Sequence, residues 1–190
     1  MSFSLWVMLA CWLIFFAYWI VSAFSTKRTV RSEALWIGVL VRLAIFIFIV
    51  VLLLLSNEHL IAIHNVITLP SSQLFDTIGA LLCIGGLSLA LWARTIIGRN
   101  WGMPMTIKED RELVTSGPYA AIRHPIYAAL LLMILGSACI EGIVWLILFC
   151  IFFIYFIGAA SSEEQSLAQE FPEQYPAYMA RTKMVVPGFL

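Results

Sequence analysis

Residues 126–157 have the sequence IYAALLLMILGSACIEGIVWLILFCIFFIYFI, and this stretch decides the class of fold. The run is apolar over about 32 residues, and small residues together with Glu141 interrupt it only near 136–142. A membrane-spanning helix needs about 20 apolar residues, so the stretch predicts a helical hairpin with short arms. The first arm is expected to start earlier, near Tyr119, with Pro125 kinking it.

The composition of the whole chain agrees with a membrane protein. The chain has 190 residues, of which 62% are hydrophobic and 12% charged, where a soluble domain carries roughly 25% charge. Its mean hydropathy is +0.97. Such a chain lacks the polar surface that a soluble enzyme, a coiled coil or a disordered protein needs. The formal net charge of zero gives no indication of a nucleic-acid partner.

Three further apolar runs precede the hairpin, at about 3–24, 34–55 and 74–97. The chain is therefore predicted to be an all-α integral membrane bundle with about five transmembrane helices. The first run has no cleavage pattern and is interpreted as a retained anchor. Arg42 interrupts the second run, where a charge costs roughly 2.5 to 3.5 kcal/mol unless it pairs or reaches the headgroups. Arg42 is thus either a candidate catalytic residue that contacts the negative group of a ligand or a buried partner, or an arginine that snorkels to the headgroups.

The distribution of basic residues predicts the orientation. Segments 56–73 and 137–142 contain no Lys or Arg, whereas the alternate connections and the tail are basic. The positive-inside rule then places the N-terminus outside and the C-terminus in the cytoplasm. Because the chain is short and shows no targeting tail, a prokaryotic inner membrane is expected. The polar segments 98–124 and 161–190 would face each other on the cytoplasmic side. Any water-soluble cofactor would bind on that side.

The tail from Ser161 differs in composition from everything before it. Ser161 and Ser162 followed by two glutamates predict a helix start, and apolar residues then recur at helical spacing. We expect a cytoplasmic amphipathic segment on the membrane surface, interrupted by Pro172 and Pro176.

Two polar clusters are candidates for chemistry. Residues 117–127, GPYAAIRHPIY, combine a Gly-Pro turn with Arg123 and His124. The second cluster is Glu163-Glu164, where the fifth crossing ends. Each also has a plain explanation, because the first could anchor a helix end at the headgroups and the second could complement a helix dipole. The four cysteines lie in apolar stretches without ligand spacing, so neither a disulfide nor a metal site is predicted.

Taken together, the motifs GPYxxxRHPxY, EExxL, Phe171, Tyr175-Pro176-Ala177-Tyr178 and Pro187 resemble the isoprenylcysteine carboxyl methyltransferase family and its phospholipid methyltransferase relatives. The upstream stretches GRNW (98–101) and LVTS (113–116) are also similar to that family. The resemblance covers about residues 74–190. We therefore expect one membrane domain over 1–190, with two N-terminal transmembrane helices in 1–73 and a methyltransferase-like core in 74–190.

The resemblance implies an enzyme that transfers a methyl group from S-adenosylmethionine to a lipophilic acceptor. Arg123 would face the acceptor's anionic group or the cofactor, and no metal is needed. The implied partners are a lipophilic small molecule or prenylated cysteine together with membrane lipids. In such relatives, the positions in or beside the cofactor pocket match Tyr119, His124, Pro125, Tyr127, Glu163 and Glu164.

The acceptor stays open. A carboxylate, as in isoprenylcysteine, needs no general base, whereas a phospholipid amine or a small thiol would need a proton removed. His124, Tyr127 and the two glutamates are candidates for that role. Ala159 stands where the family usually has an arginine, and Pro172 stands where it has a glycine. Other classes are an NADPH-dependent membrane sterol reductase, which is similar in its C-terminal helices, and a non-catalytic membrane protein.

Overall fold

The protein is a helical bundle, and the computed structural model describes residues 2–23, 29–32, 72–101, 106–108 and 112–186. The predicted second crossing at 34–55, with Arg42, lies outside the described residues. Two single turns of 3-10 helix, Gly98–Asn100 and Gly117–Ala120, connect the longer elements. The α-helices are α1 (Phe3–Ala23), α2 (Gln73–Ile97), α3 (Pro125–Glu141), α4 (Ile143–Glu170) and α5 (Gln174–Arg181).

Three of these helices are long and apolar enough to cross a membrane. The segments are Phe3–Ser22 with 20 residues, and Gln73–Asn100 and Ile143–Glu170 with 28 residues each. Their mean hydropathy values are 2.1, 1.9 and 2.7 in that order. Helix α3 is apolar but has only 17 residues, as the short arm of the hairpin predicted. The chain is therefore an integral membrane protein with a helical membrane bundle.

The predicted hairpin break lies at Gly142. This glycine is the cap residue between α3 and α4, and its φ is 90°. Glycine adopts a positive φ without steric cost because it has no Cβ. Its N–H donates to the carbonyl of Ala138, which satisfies one of the orphan carbonyls at the end of α3.

Two expectations about helix boundaries are wrong. Pro125 does not kink a longer helix, because it is the first residue of α3, where a proline loses no helical hydrogen bond. Ser161 does not begin a helix, because α4 continues without a break to Glu170 and the Ser161 hydroxyl donates to the carbonyl of Ile157. The change from apolar to polar residues at 161 lies within α4, and backbone hydrogen bonding continues across it.

The core of the bundle is a close crossing of α2 and α3 at small residues. A Cβ at Gly79 would lie 2.6 Å from the carbonyl oxygen of Gly136, and a Cβ at Gly86 would lie 2.7 Å from that of Ala129. Only small residues allow the two backbones to approach this closely, and small residues are common at helix crossings in membrane proteins. Helix α1 packs on the same core, and the Trp12 indole donates to the Ser137 hydroxyl at 3.0 Å.

The C-terminal ends of helices α1 and α2 lie next to each other. Arg94 in the last turn of α2 donates to the carbonyl of Ser22 at the end of α1, at 2.8 Å. At this end the strands β1 (Thr29–Ser32) and β2 (Thr106–Lys108) pair antiparallel, with an irregular register between Thr29 and Arg31.

The C-terminal segment returns to the loop before α3. Ile122 and Lys183 form a parallel bridge. The Arg123 N–H donates to the Lys183 carbonyl at 2.8 Å, and the His124 N–H donates to the Met184 carbonyl at 2.9 Å. Val185, 1% exposed, packs in one cluster with Ile122. The backbone that carries Arg123 and His124 is thus held from the side by the chain's tail.

Candidate functional site

The structure brings the two polar clusters of the sequence together at one end of the bundle. Arg123 Nε lies 2.6 Å from Glu164 Oε1, and His124 Nε2 lies 3.3 Å from the same oxygen. His124 Nδ1 lies 3.7 Å from Glu163 Oε2. Four side chains from two motifs about 40 residues apart therefore form one group.

Local backbone conformation explains how His124 reaches this position. The proline that follows keeps His124 out of the helical region, and its φ of −122° and ψ of 62° make it the cap residue before α3. The side chain is consequently directed from the helix end towards α4 and not along the α3 surface. Glu163 and Glu164 lie in the polar extension of α4, so both carboxylates come from a rigid helix.

Aromatic rings order one side of this group. The His124 and Tyr127 rings stack with centroids 5.2 Å apart and planes 2° apart. Tyr127 also stacks with Phe156 of α4 at 4.9 Å, and its hydroxyl donates to Glu163 Oε2 at 3.3 Å. Tyr127 is in the first turn of α3. The stack and the hydrogen bond therefore hold the N-terminal end of α3 against the part of α4 that leads to Glu163.

The two glutamates have different surroundings. The Glu164 side chain is 7% exposed and paired with Arg123, whereas the Glu163 side chain is 23% exposed. Burying a carboxylate is costly unless it is paired, and the guanidinium supplies that compensation to Glu164. Glu163 is therefore the carboxylate of the pair with more room to contact a ligand.

Arg123 is held by protein groups on two sides. Besides Glu164, its Nη1 donates to the carbonyl of Thr182 at 2.6 Å and lies 3.4 Å from the carbonyl of Met179. The resemblance implies that Arg123 faces an acceptor or cofactor, but the structure places its guanidinium in an internal pair that ties α4 to the tail.

Tyr178 and Thr182 are parts of the site that sequence reasoning missed. The Tyr178 hydroxyl donates to the Tyr119 carbonyl at 2.7 Å, and the Thr182 hydroxyl donates to the Tyr178 carbonyl at 2.7 Å. Helical spacing placed Tyr175 and Tyr178 on an apolar face, and the motif Tyr175-Pro176-Ala177-Tyr178 contributed to the family resemblance. Neither tyrosine was predicted as a site residue, and both are buried on α5. The available signal was their type, because a buried tyrosine usually finds a partner for its hydroxyl.

Buried phenols in this region are held in their protonated form. Burial raises the pKa of Tyr178 to about 12 and also raises the pKa values of Tyr119 and Tyr175. These hydroxyls therefore remain neutral hydrogen-bond donors at physiological pH. The Tyr175 side chain is 0% exposed, and its hydroxyl has no partner among the described residues.

The remaining predicted residues lie around this group. Tyr119 is in the 3-10 turn Gly117–Ala120 and is 6% exposed, and Pro125 is fully buried beside His124. Ala159, the departure from the family pattern, is 6% exposed on α4. Within the described ranges, no group of three or more His, Cys, Asp or Glu side chains could hold a metal ion.

A helical membrane bundle with carboxylates, an imidazole and stacked rings at the end of its hairpin defines a class of membrane protein with a polar site at one end. Comparison with known families makes this specific. The family model for phospholipid methyltransferase matches residues 75–174, more than half of the chain. The chain belongs to the phospholipid methyltransferase family. This confirms the broader group indicated by the motifs, while the narrower isoprenylcysteine carboxyl methyltransferase assignment remains a prediction.

Two bacterial proteins are similar to more than half of this chain. The cobalt-zinc-cadmium resistance protein CzcN of Cupriavidus metallidurans is 36% identical over 110 residues, which is 56% of this chain and 49% of CzcN. The nickel-cobalt-cadmium resistance protein NccN of Alcaligenes xylosoxydans xylosoxydans is 32% identical over 111 residues, 57% of this chain and 50% of NccN. The similarity thus spans about half the length of each relative.

Proposed function

We propose that this protein is an integral membrane methyltransferase that uses S-adenosylmethionine to methylate a lipophilic acceptor. The observation that carries the proposal is the meeting of His124 and Tyr127 with Glu163 and Glu164 in one group, in which His124 and Glu164 are buried. This group lies within the segment that matches the phospholipid methyltransferase family. An unrelated membrane scaffold has no need to bury these polar groups at the end of an apolar hairpin.

The donor set fits the cofactor. A carboxylate such as Glu163 can accept hydrogen bonds from an ammonium group or from ribose hydroxyls. When bound, the sulfonium group supplies an electrophilic methyl group to a nucleophile aligned with the carbon–sulfur bond. The protein's task is then to orient both partners and exclude water. We assign ligand contact to Glu163 and His124, and positioning to Glu164, Arg123 and Tyr127.

The division between the two glutamates follows from their contacts. Glu164 is neutralised by Arg123, which is itself fixed to the Thr182 carbonyl. The Glu164 carboxylate therefore holds the His124 ring directly and the tail through Arg123. Glu163 is more exposed and lies against both the Tyr127 hydroxyl and the His124 imidazole. We assign Tyr119 and Pro125 to the same cofactor site, in which Pro125 directly follows His124 in the chain.

The acceptor is proposed as a lipophilic molecule reached from the bilayer, and the resemblance implies carboxyl O-methylation of an isoprenylcysteine-like substrate. N-methylation of a phospholipid amine is the second candidate. The family match favours it, and Arg123 is engaged by Glu164 and so is poorly placed to pair with an acceptor carboxylate. His124 and Glu163 could take the proton that an amine or a small thiol must release. Arg42 remains a proposed contact for the acceptor's negative group.

Calorimetry on the detergent-purified protein tests the cofactor. We expect S-adenosylhomocysteine, the product form of the cofactor, to bind and NADPH not to bind. Binding of NADPH alone would favour the reductase class, and binding of neither would reject both enzyme classes.

Two substitutions, one on α4 and one at the cap of α3, test the site. Glu163→Gln should weaken S-adenosylhomocysteine binding at least about tenfold, which corresponds to about 1.4 kcal/mol, with little change in thermal stability. His124→Ala should weaken it as well. Glu173→Gln, at an exposed glutamate before α5, is the matched control and should bind as the wild type does. Unchanged affinity in both site variants would reject the site assignment.

Incubation with methyl-labelled S-adenosylmethionine and defined acceptors tests the reaction. A prenylated cysteine, a phosphatidylethanolamine and a long-chain thiol represent the three acceptor atoms. Labelled product from only one of them would identify the acceptor class, and no labelled product from these or from a total lipid extract would oppose the proposed activity.

A further inference from the structure

Arg94, in the last turn of α2, is a buried cation outside the group described above. Its side chain is 2% exposed, and its guanidinium lies 4.8 Å from the centroid of the Trp101 ring. Nη1 donates to the carbonyl of Gly98 at 2.6 Å, and Nη2 donates to that of Ser22 at 2.8 Å. The buried Nε has no hydrogen-bond partner among the described residues.

The surroundings of Arg94 compensate its charge only in part. Both hydrogen-bond acceptors are carbonyls at the C-terminal ends of helices. The C-terminal end of a helix carries roughly half a negative charge. The Trp101 ring adds a cation–π contact. Among the described residues no carboxylate forms an ion pair with Arg94, in contrast to Arg123 with Glu164. A buried ion carries a desolvation penalty of several kcal/mol, so an anionic partner at this position would be favourable.

The geometry of a guanidinium defines what that partner would be. Nε and the adjacent terminal nitrogen form a planar fork that matches the two oxygens of a carboxylate or a phosphate. Among the described residues the Arg94 Nε donor has no acceptor, and each terminal nitrogen has one carbonyl partner there and a further N–H. Because the side chain is almost completely covered, these donors lie within the protein and not at the lipid surface.

Arg94 lies at the same end of the bundle as the group formed by Arg123, His124, Glu163 and Glu164. The turn that carries Tyr119 packs on the last turn of α2, since a Cβ at Gly117 would lie 3.0 Å from the Ile96 side chain. The Tyr119 phenol is within electrostatic range of both charges. Burial raises its pKa, the Glu163 carboxylate raises it further and Arg94 lowers it. Tyr119 therefore connects the surroundings of Arg94 with those of Glu163.

We propose that Arg94 binds the anionic group of a ligand held at this end of the bundle, with the ligand's cationic group towards Glu163. The anionic group is a carboxylate or a phosphate. Its two possible sources are the amino-acid part of S-adenosylmethionine and the headgroup of a zwitterionic phospholipid. The inference rests on the proposed function, because it places this ligand in the methyltransferase site.

The first experiment compares two ligands that differ only in the carboxylate. Calorimetry measures binding of S-adenosylhomocysteine and of its decarboxylated analogue to the wild type, Arg94→Gln and the control Arg99→Gln, an exposed arginine on the next turn. If the cofactor is the source, the wild type and Arg99→Gln should prefer the carboxylate form about tenfold or more. Arg94→Gln should bind the two forms equally.

The second experiment tests the phosphate source in the same variants. Tryptophan fluorescence follows titration with a short-chain phosphatidylethanolamine and with an alkyl amine of equal chain length that lacks phosphate. If the headgroup is the source, Arg94→Gln should lose the preference for the phosphate-containing lipid and leave the cofactor preference unchanged. Loss of either preference supports the proposal, and retention of both by Arg94→Gln would overturn it.

The ratio of two affinities within one variant is independent of the folded fraction, so a loss of stability in Arg94→Gln does not obscure the result. Arg94→Lys keeps the charge without the fork and should retain part of the affected preference. A wild type that binds no S-adenosylhomocysteine would instead reject the proposed function.

Discussion

Arg123 Nε and Glu164 Oε1 lie 2.6 Å apart, and this ion pair joins the residue before the α3 cap to the polar extension of α4. The guanidinium also holds the Thr182 carbonyl, so the pair links three parts of the chain that are distant in sequence. His124 shares the same carboxylate oxygen and is thereby placed between the two glutamates. The buried pair organises this group of side chains, and the proposed ligand contact falls on the more exposed Glu163.

Breaking this pair from one side should destabilise the protein more than removing both charges. Arg123→Gln or Glu164→Gln each leaves a buried charge without its partner, and we expect a loss of about 3 kcal/mol in the free energy of unfolding. The double variant should be more stable than the sum of the two single losses allows. Thermal unfolding in detergent measures all three, and strictly additive losses would contradict a direct pair.

Substitutions of Tyr127 separate the role of its ring from that of its hydroxyl. Tyr127→Phe keeps the stacking with His124 and Phe156 and loses one long hydrogen bond to Glu163. We expect S-adenosylhomocysteine affinity to fall about two- to threefold, close to 0.5 kcal/mol. Tyr127→Leu removes the ring stack and should cost about tenfold or more. Equal losses in the two variants, measured by calorimetry, would show that the ring does not position His124.

The stability of the protein in alkali should depend on Tyr178. Burial raises its pKa from the ordinary value of 10.0 to about 12, so the folded protein keeps this proton to a higher pH than the unfolded chain does. The associated stability is complete below pH 10 and is lost between about pH 10 and 12. Tyr178→Phe should be less stable near neutral pH by about 1 kcal/mol, because the Tyr119 carbonyl loses its donor.

Between pH 10 and 12 the wild type should therefore lose more stability than Tyr178→Phe. A decline persists in the variant, since Tyr119 and Tyr175 also have raised pKa values. Unfolding temperatures measured across this pH range test the difference. Parallel curves for the two proteins would contradict a buried Tyr178 hydroxyl.

The crossing of α2 and α3 should not accept even one extra methyl group. A Cβ at Gly136 would lie 2.6 Å from the Gly79 carbonyl oxygen, so Gly136→Ala forces the helices apart and should cost about 1 to 3 kcal/mol. Gly85→Ala is the matched control on α2, because nothing lies within 4 Å of a Cβ there. It should be neutral or stabilise the helix by up to about 1 kcal/mol. Equal effects would rule out close packing at Gly136.

Hydropathy and motif order predicted the parts of the fold that depend on local properties. The apolar runs at 3–24, 74–97 and 126–157 correspond to α1, α2 and the α3–α4 hairpin, with the break at Gly142. The hydrophobic effect acts on each such segment independently of its neighbours, so composition alone reports it. The boundary at Ser161 was misplaced because a change in polarity does not require a change in backbone hydrogen bonding.

The amino-acid pattern alone was enough to predict that this chain spans a membrane and that RHPxY and the glutamate pair form its polar clusters. The packing of the helices sets which of these groups meet: Arg123 with Glu164, Tyr178 with the Tyr119 carbonyl, and Arg94 with the Ser22 carbonyl at the end of α1. The physical reason is that these contacts join residues dozens of positions apart. Their formation depends on helix crossings set by small residues such as Gly136, and no local pattern encodes the distances that result.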